Sequence, residues 1–108
     1  MSTSLSPFAV KVYELVKQIP PGKVASYHDI ARLAGSPRAA RAIGLLMKHN
    51  PDIDHIPCHR VIGSDGKMHG FAGKGGVVEK IKRLKAEGIV FEAEWVDLKR
   101  FRWHKTLS

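Results

Sequence analysis

The stretch SYHDIARLAGSPRAARAIGLLMKHN, residues 26–50, decides the fold of this chain of 108 residues. Ser26 and Asp29 have the spacing of a capping box, which predicts a short helix over residues 27–34. Gly35 ends that helix, because glycine readily adopts the backbone conformation found just beyond a helix C-terminus. A second short helix follows after a tight Gly-Ser-Pro connection, and such a pair is typical of a helix-turn-helix.

The second helix of the pair is in the position of a recognition helix. Ser36 and Pro37 predict its start, as N-cap and first helical residue, and it runs to about His49. Its outer face carries three basic residues: Arg38, Arg41 and Lys48. Its inner face carries Ala40, Ile43, Gly44 and Met47. Short helix pairs also occur in proteins that do not bind DNA, so the pattern alone leaves both interpretations open.

Two further amphipathic helices flank this region. Apolar residues recur at helical spacing over residues 7–19, and Ser6 followed by Pro7 predicts the N-terminus of that helix. A last helix is predicted over residues 77–87. Its inward residues are Ile81 and Leu84, and its outward residues are Lys80, Lys82, Arg83 and Lys85.

Short extended segments complete the predicted fold. Residues 61–62 and 67–68 flank a Gly-Ser-Asp-Gly turn and predict a small hairpin, or wing. Apolar and polar residues alternate along the tail, which predicts a strand or an extended cover over residues 89–98. The fold class is therefore mainly α with a small β wing, a winged helix-turn-helix. We expect one domain over residues 1–108, with its core at 7–88 and a tail at 89–108.

Charge narrows the class of partner. Lys and Arg total 18 and Asp and Glu total 10, which gives a net charge of +8 and a pI near 9.9. A small domain this basic favours a polyanion, and nucleic acid is favoured over membrane because no helix pairs a broad apolar face with a lysine face. A basic protein without a specific partner is the alternative.

Cysteine usage and the N-terminus bear on the compartment. A single cysteine cannot form an internal disulfide, which fits the reducing cytoplasm or nucleus. The first six residues show no secretion signal, and the sequence contains no predicted transmembrane span. We therefore expect an intracellular protein.

The only cysteine, Cys58, is followed at once by His59 and Arg60. Neighbouring positive charge favours the thiolate, which is the nucleophilic form of the side chain. The alternative is an inert structural thiol. The glycine-rich residues 69–76 do not have the spacing of a nucleotide-binding loop, which argues against an ATP site. The other histidines have no metal-ligand spacing, so we expect no metal.

Residues 57–61, PCHRV, resemble the active-site signature of the O6-alkylguanine-DNA alkyltransferases. The resemblance continues in order along residues 7–88. It includes GKVASY at 22–27, RAARAIG at 38–44, Met47, Asn50-Pro51, GFAG at 70–73 and AEG at 86–88.

This resemblance implies a methylated-DNA–[protein]-cysteine S-methyltransferase that needs no cofactor. Such a protein binds double-stranded DNA, flips an O6-alkylguanine into a pocket and moves the alkyl group irreversibly onto its own cysteine. Cys58 would be the acceptor. His59 would be its base, acting through a water molecule, and Glu87 would orient the imidazole. Arg60 would support the active-site loop.

The resemblance also implies DNA contacts and a pocket. Arg41 would fill the gap left by the flipped base, and Tyr27 would help to push the nucleotide out. Arg38 and Lys48 would be further DNA-binding residues. Asn50 would tie the recognition helix to the active-site loop, and the pocket would comprise Met47, Asn50, Pro57, Val61, Phe71, Ala72 and Gly73. Met47 and Phe71 could equally be ordinary core residues, and the alternative for Tyr27 is a tyrosine at the start of the helix that packs on the core.

The tail departs from the common pattern. Residues 96–98 followed by Trp103 are similar to the alkyltransferase-like proteins, which bind the same lesions without repairing them and flag them for nucleotide excision repair. Those proteins lack the acceptor cysteine, whereas this chain has one. Lesion binding, with nucleotide excision repair proteins as further partners, is therefore the alternative function. A winged-helix transcription regulator and a cysteine hydrolase fit less well. We expect a monomer.

Overall fold

Short helices and very short strands alternate along the chain, whose computed structural model describes residues 6–69 and 73–105. The order is α1 Pro7–Lys17, β1 Ala25–Ser26, α2 Tyr27–Leu33, α3 Ala40–Lys48, a 3-10 turn Cys58–Arg60, β2 Val61–Ile62, α4 Gly76–Ala86, β3 Phe91–Glu92, β4 Trp95–Val96 and α5 Leu98–Phe101. The predicted fold class, mainly α with small sheets, is confirmed. Phe71 and Ala72, two of the predicted pocket residues, lie outside the described residues.

Side-chain caps begin the first two helices as the sequence predicts. The Ser6 hydroxyl accepts a hydrogen bond from the amide of Ala9 at 3.1 Å. At α2 the Ser26 hydroxyl accepts from the Asp29 amide, and the Asp29 carboxylate accepts from the Ser26 amide, both at 3.0 Å. The capping box satisfies two N–H groups that would otherwise lack partners at the helix start.

The third helix begins later than predicted. It starts at Ala40 and not at Pro37, and its N-cap, Ala39, makes no side-chain capping bond. The Ala39 amide instead donates to the Ser36 carbonyl at 2.9 Å, and the Ser36 amide donates to the Ala31 carbonyl at 2.9 Å. These bonds make a turn of residues 36–39, so the connection between α2 and α3 is longer than the sequence suggests.

The core has two parts. In the first, α1 packs on α2 and α2 packs on α3, burying Val12, Val16, Ile30 and Ile43 completely. The second lies under the tail and contains Val24, Ile62, Leu84, Ile89, Val96 and Phe101. Each fully buried valine or isoleucine stabilises the fold by about 1.5–3 kcal/mol.

The predicted pairing of residues 61–62 with 67–68 is wrong. β2 pairs in parallel with β1, with Ala25 opposite Val61 and Ser26 opposite Ile62. Residues 63–67 form a closed loop in which the Gly63 amide donates to the Lys67 carbonyl at 2.9 Å, while Lys67 forms its β-bridge with Trp95. The pairing that forms is between distant parts of the chain, which local turn chemistry cannot predict.

The tail forms part of the fold, as the predicted strand indicated. β3 and β4 form an antiparallel hairpin, and the Val96 amide donates to the Gly66 carbonyl at 2.9 Å. Gly66 has φ +82°, and a Cβ atom there would overlap the Val96 carbonyl, so the close contact requires glycine. Farther along, the Trp103 amide donates to the Val24 carbonyl at 2.7 Å, beside β1.

An ion pair links the tail to the capping box. Arg102 Nε donates to Asp29 Oδ2 at 3.0 Å, and the Asp29 side chain is 6% exposed. Burial raises the pKa of Asp29, but the Ser26 amide and the Arg102 guanidinium outweigh it and hold that pKa below its ordinary value. The start of α2 therefore depends on the tail for charge compensation.

We predict that Arg102→Met lowers the free energy of unfolding by about 1–2 kcal/mol, because a buried carboxylate loses its closest cation. Urea denaturation followed by circular dichroism measures this change. Arg32→Met is the matched control, since Arg32 also contacts Asp29, at 3.5 Å, but is 65% exposed. Its cost should stay within about 0.5 kcal/mol, and equal costs for both variants would contradict the assignment.

Candidate active site and DNA interface

Hydrogen bonds connect the segment that carries the cysteine to the end of α3. Asn50, beyond the C-terminus of α3, donates from Nδ2 to the Ile56 carbonyl at 2.8 Å and accepts from the Asp52 amide at 2.9 Å. The Cys58 amide donates to the same Ile56 carbonyl at 2.7 Å, and residues 58–60 then form the 3-10 turn. Asn50 thus ties α3 to the cysteine segment, which is the placement that the resemblance implies.

Cys58 lies in the wall of a cleft of about 800 Å³ between α2, α3 and the loop after β2. The cysteine side chain is free and the residue is only 3% exposed, so the cleft is the route by which a reactant could reach it. The cleft is lined by Tyr27, His28, Ala40, Arg41, Gly44, Leu45, Met47, Lys48, Cys58, Gly63, Ser64, Asp65 and His69.

Behind the cysteine, one carboxylate joins two neighbouring side chains. Glu87, the C-cap of α4, accepts from Arg60 Nε at 2.9 Å and from Arg60 Nη2 at 2.6 Å, a two-point contact. Its Oε2 atom also lies 2.9 Å from His59 Nε2. Arg60 further donates from Nη1 to the Ile19 carbonyl at 2.7 Å, which anchors the cluster to the end of α1.

The charges and the burial of this cluster determine the protonation state of His59. Burial raises the pKa of Glu87, but the hydrogen bonds from Arg60 and His59 outweigh it and hold that pKa below its ordinary value. Burial lowers the pKa of His59 below 6.5, although Glu87 opposes this shift. At neutral pH an ionised Glu87 faces a neutral imidazole, so Nε2 carries the proton and donates it.

The second ring nitrogen of His59 is therefore the basic one. His59 Nδ1 is buried and has no hydrogen-bond partner among the described residues. A buried polar atom without a partner is uncommon and is often part of a functional site. With Nε2 committed to Glu87, Nδ1 can take a proton from a nearby acid, and Cys58 is the neighbouring residue in the chain.

A comparison with known proteins shows the family to which the chain belongs. Residues 7–89 match the family model described as 6-O-methylguanine DNA methyltransferase, DNA binding domain. The chain belongs to this family. Its membership confirms the resemblance that the cysteine motif and the ordered flanking segments indicate.

The match covers only part of the length of two relatives. The Picrophilus torridus bifunctional methyltransferase/endonuclease is 43% identical over 93 residues, which are 86% of this chain but only 30% of that protein. The crystal structure of Mycobacterium tuberculosis OGT in complex with DNA has a TM-score of 0.74 at 41% identity and covers 79% of this chain and 51% of that one.

A third relative matches nearly end to end. The crystal structure of S. pombe Atl1 in complex with damaged DNA containing O6-carboxymethylguanine has a TM-score of 0.82 at 34% identity. It covers 95% of this chain and 100% of Atl1. The Atl1 match therefore extends over more of this methyltransferase-family chain than the match to OGT.

The structure brings some of the predicted site residues together and separates others. Tyr27, Arg41, Met47, Lys48 and Cys58 line the cleft, and His59 and Glu87 are hydrogen-bonded behind it. The remaining described residues of the prediction do not line the cleft: Arg38, Asn50, Pro57, Val61 and Gly73. Arg38 lies at a separate surface depression beside Ser36, and the roles of all these residues stay predictions.

Two absences concern only residues 6–69 and 73–105. In these ranges no three His, Cys, Asp or Glu side chains are grouped so that they could hold a metal ion. None of the helices in the same ranges combines the length and the hydropathy needed to cross a membrane.

The prediction for the side chain of Lys80 is wrong. Lys80 was expected on the outer face of the last helix, but it is 1% exposed and donates from Nζ to the Val61 carbonyl at 2.7 Å. Its ammonium also lies 5.9 Å from the centre of the Tyr27 ring, a cation–π contact. Val61, one of the predicted pocket residues, is thus tied to α4 through its carbonyl.

Lys80 also interacts electrostatically with the cysteine. Burial lowers the pKa of Lys80 from 10.5 to about 8, and a negative charge on Cys58 acts in the opposite direction. A Cys58 thiolate would therefore favour the charged form of Lys80. The sequence contained one signal for the burial of Lys80. Lys80 lies four residues before Leu84, which was predicted to face inward, and residues four apart share a helix face.

We predict that stability rises with pH from about 8 towards 10. In this window the unfolded chain keeps the Lys80 proton while the folded chain releases it, so alkaline pH relieves the cost of the buried charge. In a Cys58→Ala background, which removes the thiol titration, urea midpoints measured across this range should show the rise. Its full size is on the order of 1–3 kcal/mol.

The corresponding Lys80→Met variant should lose this pH dependence. Lys82→Met is the matched control, because Lys82 is an exposed lysine of the same helix and should leave the rise in place. An unchanged slope in Lys80→Met would show that another group causes the rise.

Proposed function

We propose that this chain repairs DNA by moving an alkyl group from O6-alkylguanine onto Cys58, once per molecule. The observation that carries the proposal is that Cys58 lies in the wall of a cleft while the neighbouring His59 keeps a basic Nδ1 that has no hydrogen-bond partner in the described part of the chain. The family match supplies DNA as the partner class.

The acceptor chemistry follows from the residues behind the cleft. The Cys58 proton moves towards His59 Nδ1, and Glu87 stabilises the imidazolium that forms. Sγ then attacks the saturated alkyl carbon, so that a sulfur–carbon bond forms as the carbon–O6 bond breaks. The released guanine takes up the proton that His59 received, which returns the imidazole to its neutral form, and the thioether remains on the protein. A negative charge on Cys58 would in turn favour the charged form of the buried Lys80 ammonium.

The cleft suits an extruded base. Arg41 and Leu45 lie on α3 at its edge, with Arg41 exposed and Leu45 55% exposed, so both can enter a DNA groove. Tyr27 faces the same cleft from the start of α2. A planar guanidinium can occupy the space of a flipped base, and an apolar side chain can support an opened base step.

The extent of the Atl1 match favours a second candidate, lesion binding without transfer. The tail of this chain belongs to the region shared with Atl1, which was crystallised on DNA containing O6-carboxymethylguanine. In that case Cys58 would serve as a wall of the lesion pocket. Partners from nucleotide excision repair belong to this candidate alone.

Mass spectrometry of the peptide containing Cys58 separates the two candidates. After incubation with duplex DNA containing O6-methylguanine, we expect the peptide to gain the mass of one methylene, because a methyl group replaces the thiol hydrogen. Cys58→Ser should abolish the gain while lesion binding, measured by fluorescence anisotropy, survives. Tight lesion binding by the native chain with an unmodified peptide would instead support the second candidate.

Arg41 and Arg38 should differ in what they contribute to binding. Arg41→Ala should weaken binding to lesion DNA by roughly tenfold and undamaged DNA much less, since it lines the cleft. Arg38→Ala, the matched control, should weaken both DNAs alike and reduce the salt dependence. Binding titrations with both duplexes at several salt concentrations test this. If Arg41→Ala lowered the affinity for lesion DNA and for undamaged DNA equally, Arg41 would have no role in base flipping.

A further inference from the structure

The loop that follows β2 places an acid and a histidine at the opening of the cleft. We name residues 63–69 the mouth loop. His69 Nε2 lies 3.3 Å from Asp65 Oδ1, and the same oxygen accepts from the Lys67 amide at 2.9 Å. The His69 ring meets the Tyr27 ring edge-on, with centroids 6.3 Å apart and planes at 65°. His69 is one of the histidines whose spacing in the sequence indicated no metal site.

Several contacts together fix the position of His69. The pair with Asp65 is about half exposed, and such a pair alone contributes little to stability. The ring contact with Tyr27 adds a second constraint. Gly63 adds a third, because a Cβ atom there would overlap both His69 Nε2 and Asp65 Oδ1. The two side chains therefore pack directly over the Gly63 backbone.

The tail holds the mouth loop from behind. The Val96 amide donates to the Gly66 carbonyl at 2.9 Å, and Lys67 pairs with Trp95 in an antiparallel bridge. Tyr27 is also constrained on another side by the cation–π contact with Lys80. Neither His69 nor Tyr27 can therefore move away from the other without loss of several contacts.

The α3 wall of the cleft contains two small residues. Ala40 and Gly44 are the small residues of the α3 wall, and a Cβ atom on Gly44 would meet nothing within 4 Å. The mouth loop contributes Gly63, Ser64, Asp65 and His69, of which His69 is the largest. Space is therefore open beside Gly44, and His69 is the largest side chain that the mouth loop places in the cleft.

We propose that His69 is a specificity-determining residue that limits the size of the O6 substituent the cleft admits. This inference rests on the proposed binding of O6-alkylguanine. A small substituent fits beside the imidazole, while a bulky one must displace it and break its contacts with Asp65 and Tyr27. The tail contributes by keeping the mouth loop in place, so it completes the cleft without closing it.

The test measures binding, so that it does not depend on alkyl transfer. In a Cys58→Ser background, duplexes containing O6-methylguanine, O6-benzylguanine or guanine are titrated against each variant. His69→Ala should raise the affinity for the benzyl duplex relative to the methyl duplex by roughly tenfold, the discrimination typical of one pocket group. Asp65→Ala should act in the same direction with a smaller effect, because it only releases the imidazole.

Two further variants separate size from charge and from general effects of a surface histidine. His69→Phe keeps a ring against Tyr27 and should restore the native preference, whereas a charge-based role would leave it unrestored. His55→Ala is the matched control, since His55 also pairs with an aspartate, Asp52, at 2.9 Å and does not line the cleft. It should leave the ratio unchanged.

The outcomes distinguish this inference from the proposed function. If the native cleft prefers the methyl lesion to guanine but His69→Ala leaves the benzyl-to-methyl ratio unchanged, the size-limiting role is wrong and lesion binding stands. If no variant distinguishes lesion from guanine, the proposed function fails and this inference fails with it.

Discussion

The carboxylate of Glu87 is the interaction on which the site depends. It receives both nitrogens of one edge of Arg60 and the Nε2 proton of His59, and Arg60 reaches on to the Ile19 carbonyl. Helix α4, the cysteine turn and the end of α1 therefore meet at one charged group. Because a two-point arginine contact has a fixed geometry, it sets both the position of the turn and the tautomer of the histidine.

Local signals account for the parts of the fold that were predicted correctly. The caps at Ser6 and Ser26 are decided by residues within one helical turn, so they can be identified in the sequence. The parallel pairing of β1 with β2 joins residues 36 positions apart, and nothing near residues 61–62 indicates it. A Gly-Ser-Asp-Gly turn suggests a hairpin, but in the structure the strand after that turn pairs with the tail.

The candidate site shows the same division. Cys58, His59 and Glu87 were identifiable because they belong to the ordered motifs that carry the family resemblance. In the structure His59 and Glu87 are in hydrogen-bond contact. Lys80 was missed because its charge predicted exposure, while a carbonyl acceptor 19 residues away allows its burial. His69 was missed because its partners are a side chain four residues back and a ring on α2. Such contacts depend on tertiary structure that a periodic pattern does not contain.

The parallel pairing of β1 with β2 has a mechanical consequence. Ser26 and Val61 are paired-strand residues, and each is within three positions of a residue at the heart of the cleft, Tyr27 or Cys58. The side chain proposed to eject a nucleotide and the sulfur proposed to receive its adduct are thus both attached, within a few residues, to the same pair of hydrogen-bonded strands. Any change in the distance between Tyr27 and Cys58 would have to bend or break this short ladder, whereas the loops that line the rest of the cleft carry no such pairing to β1.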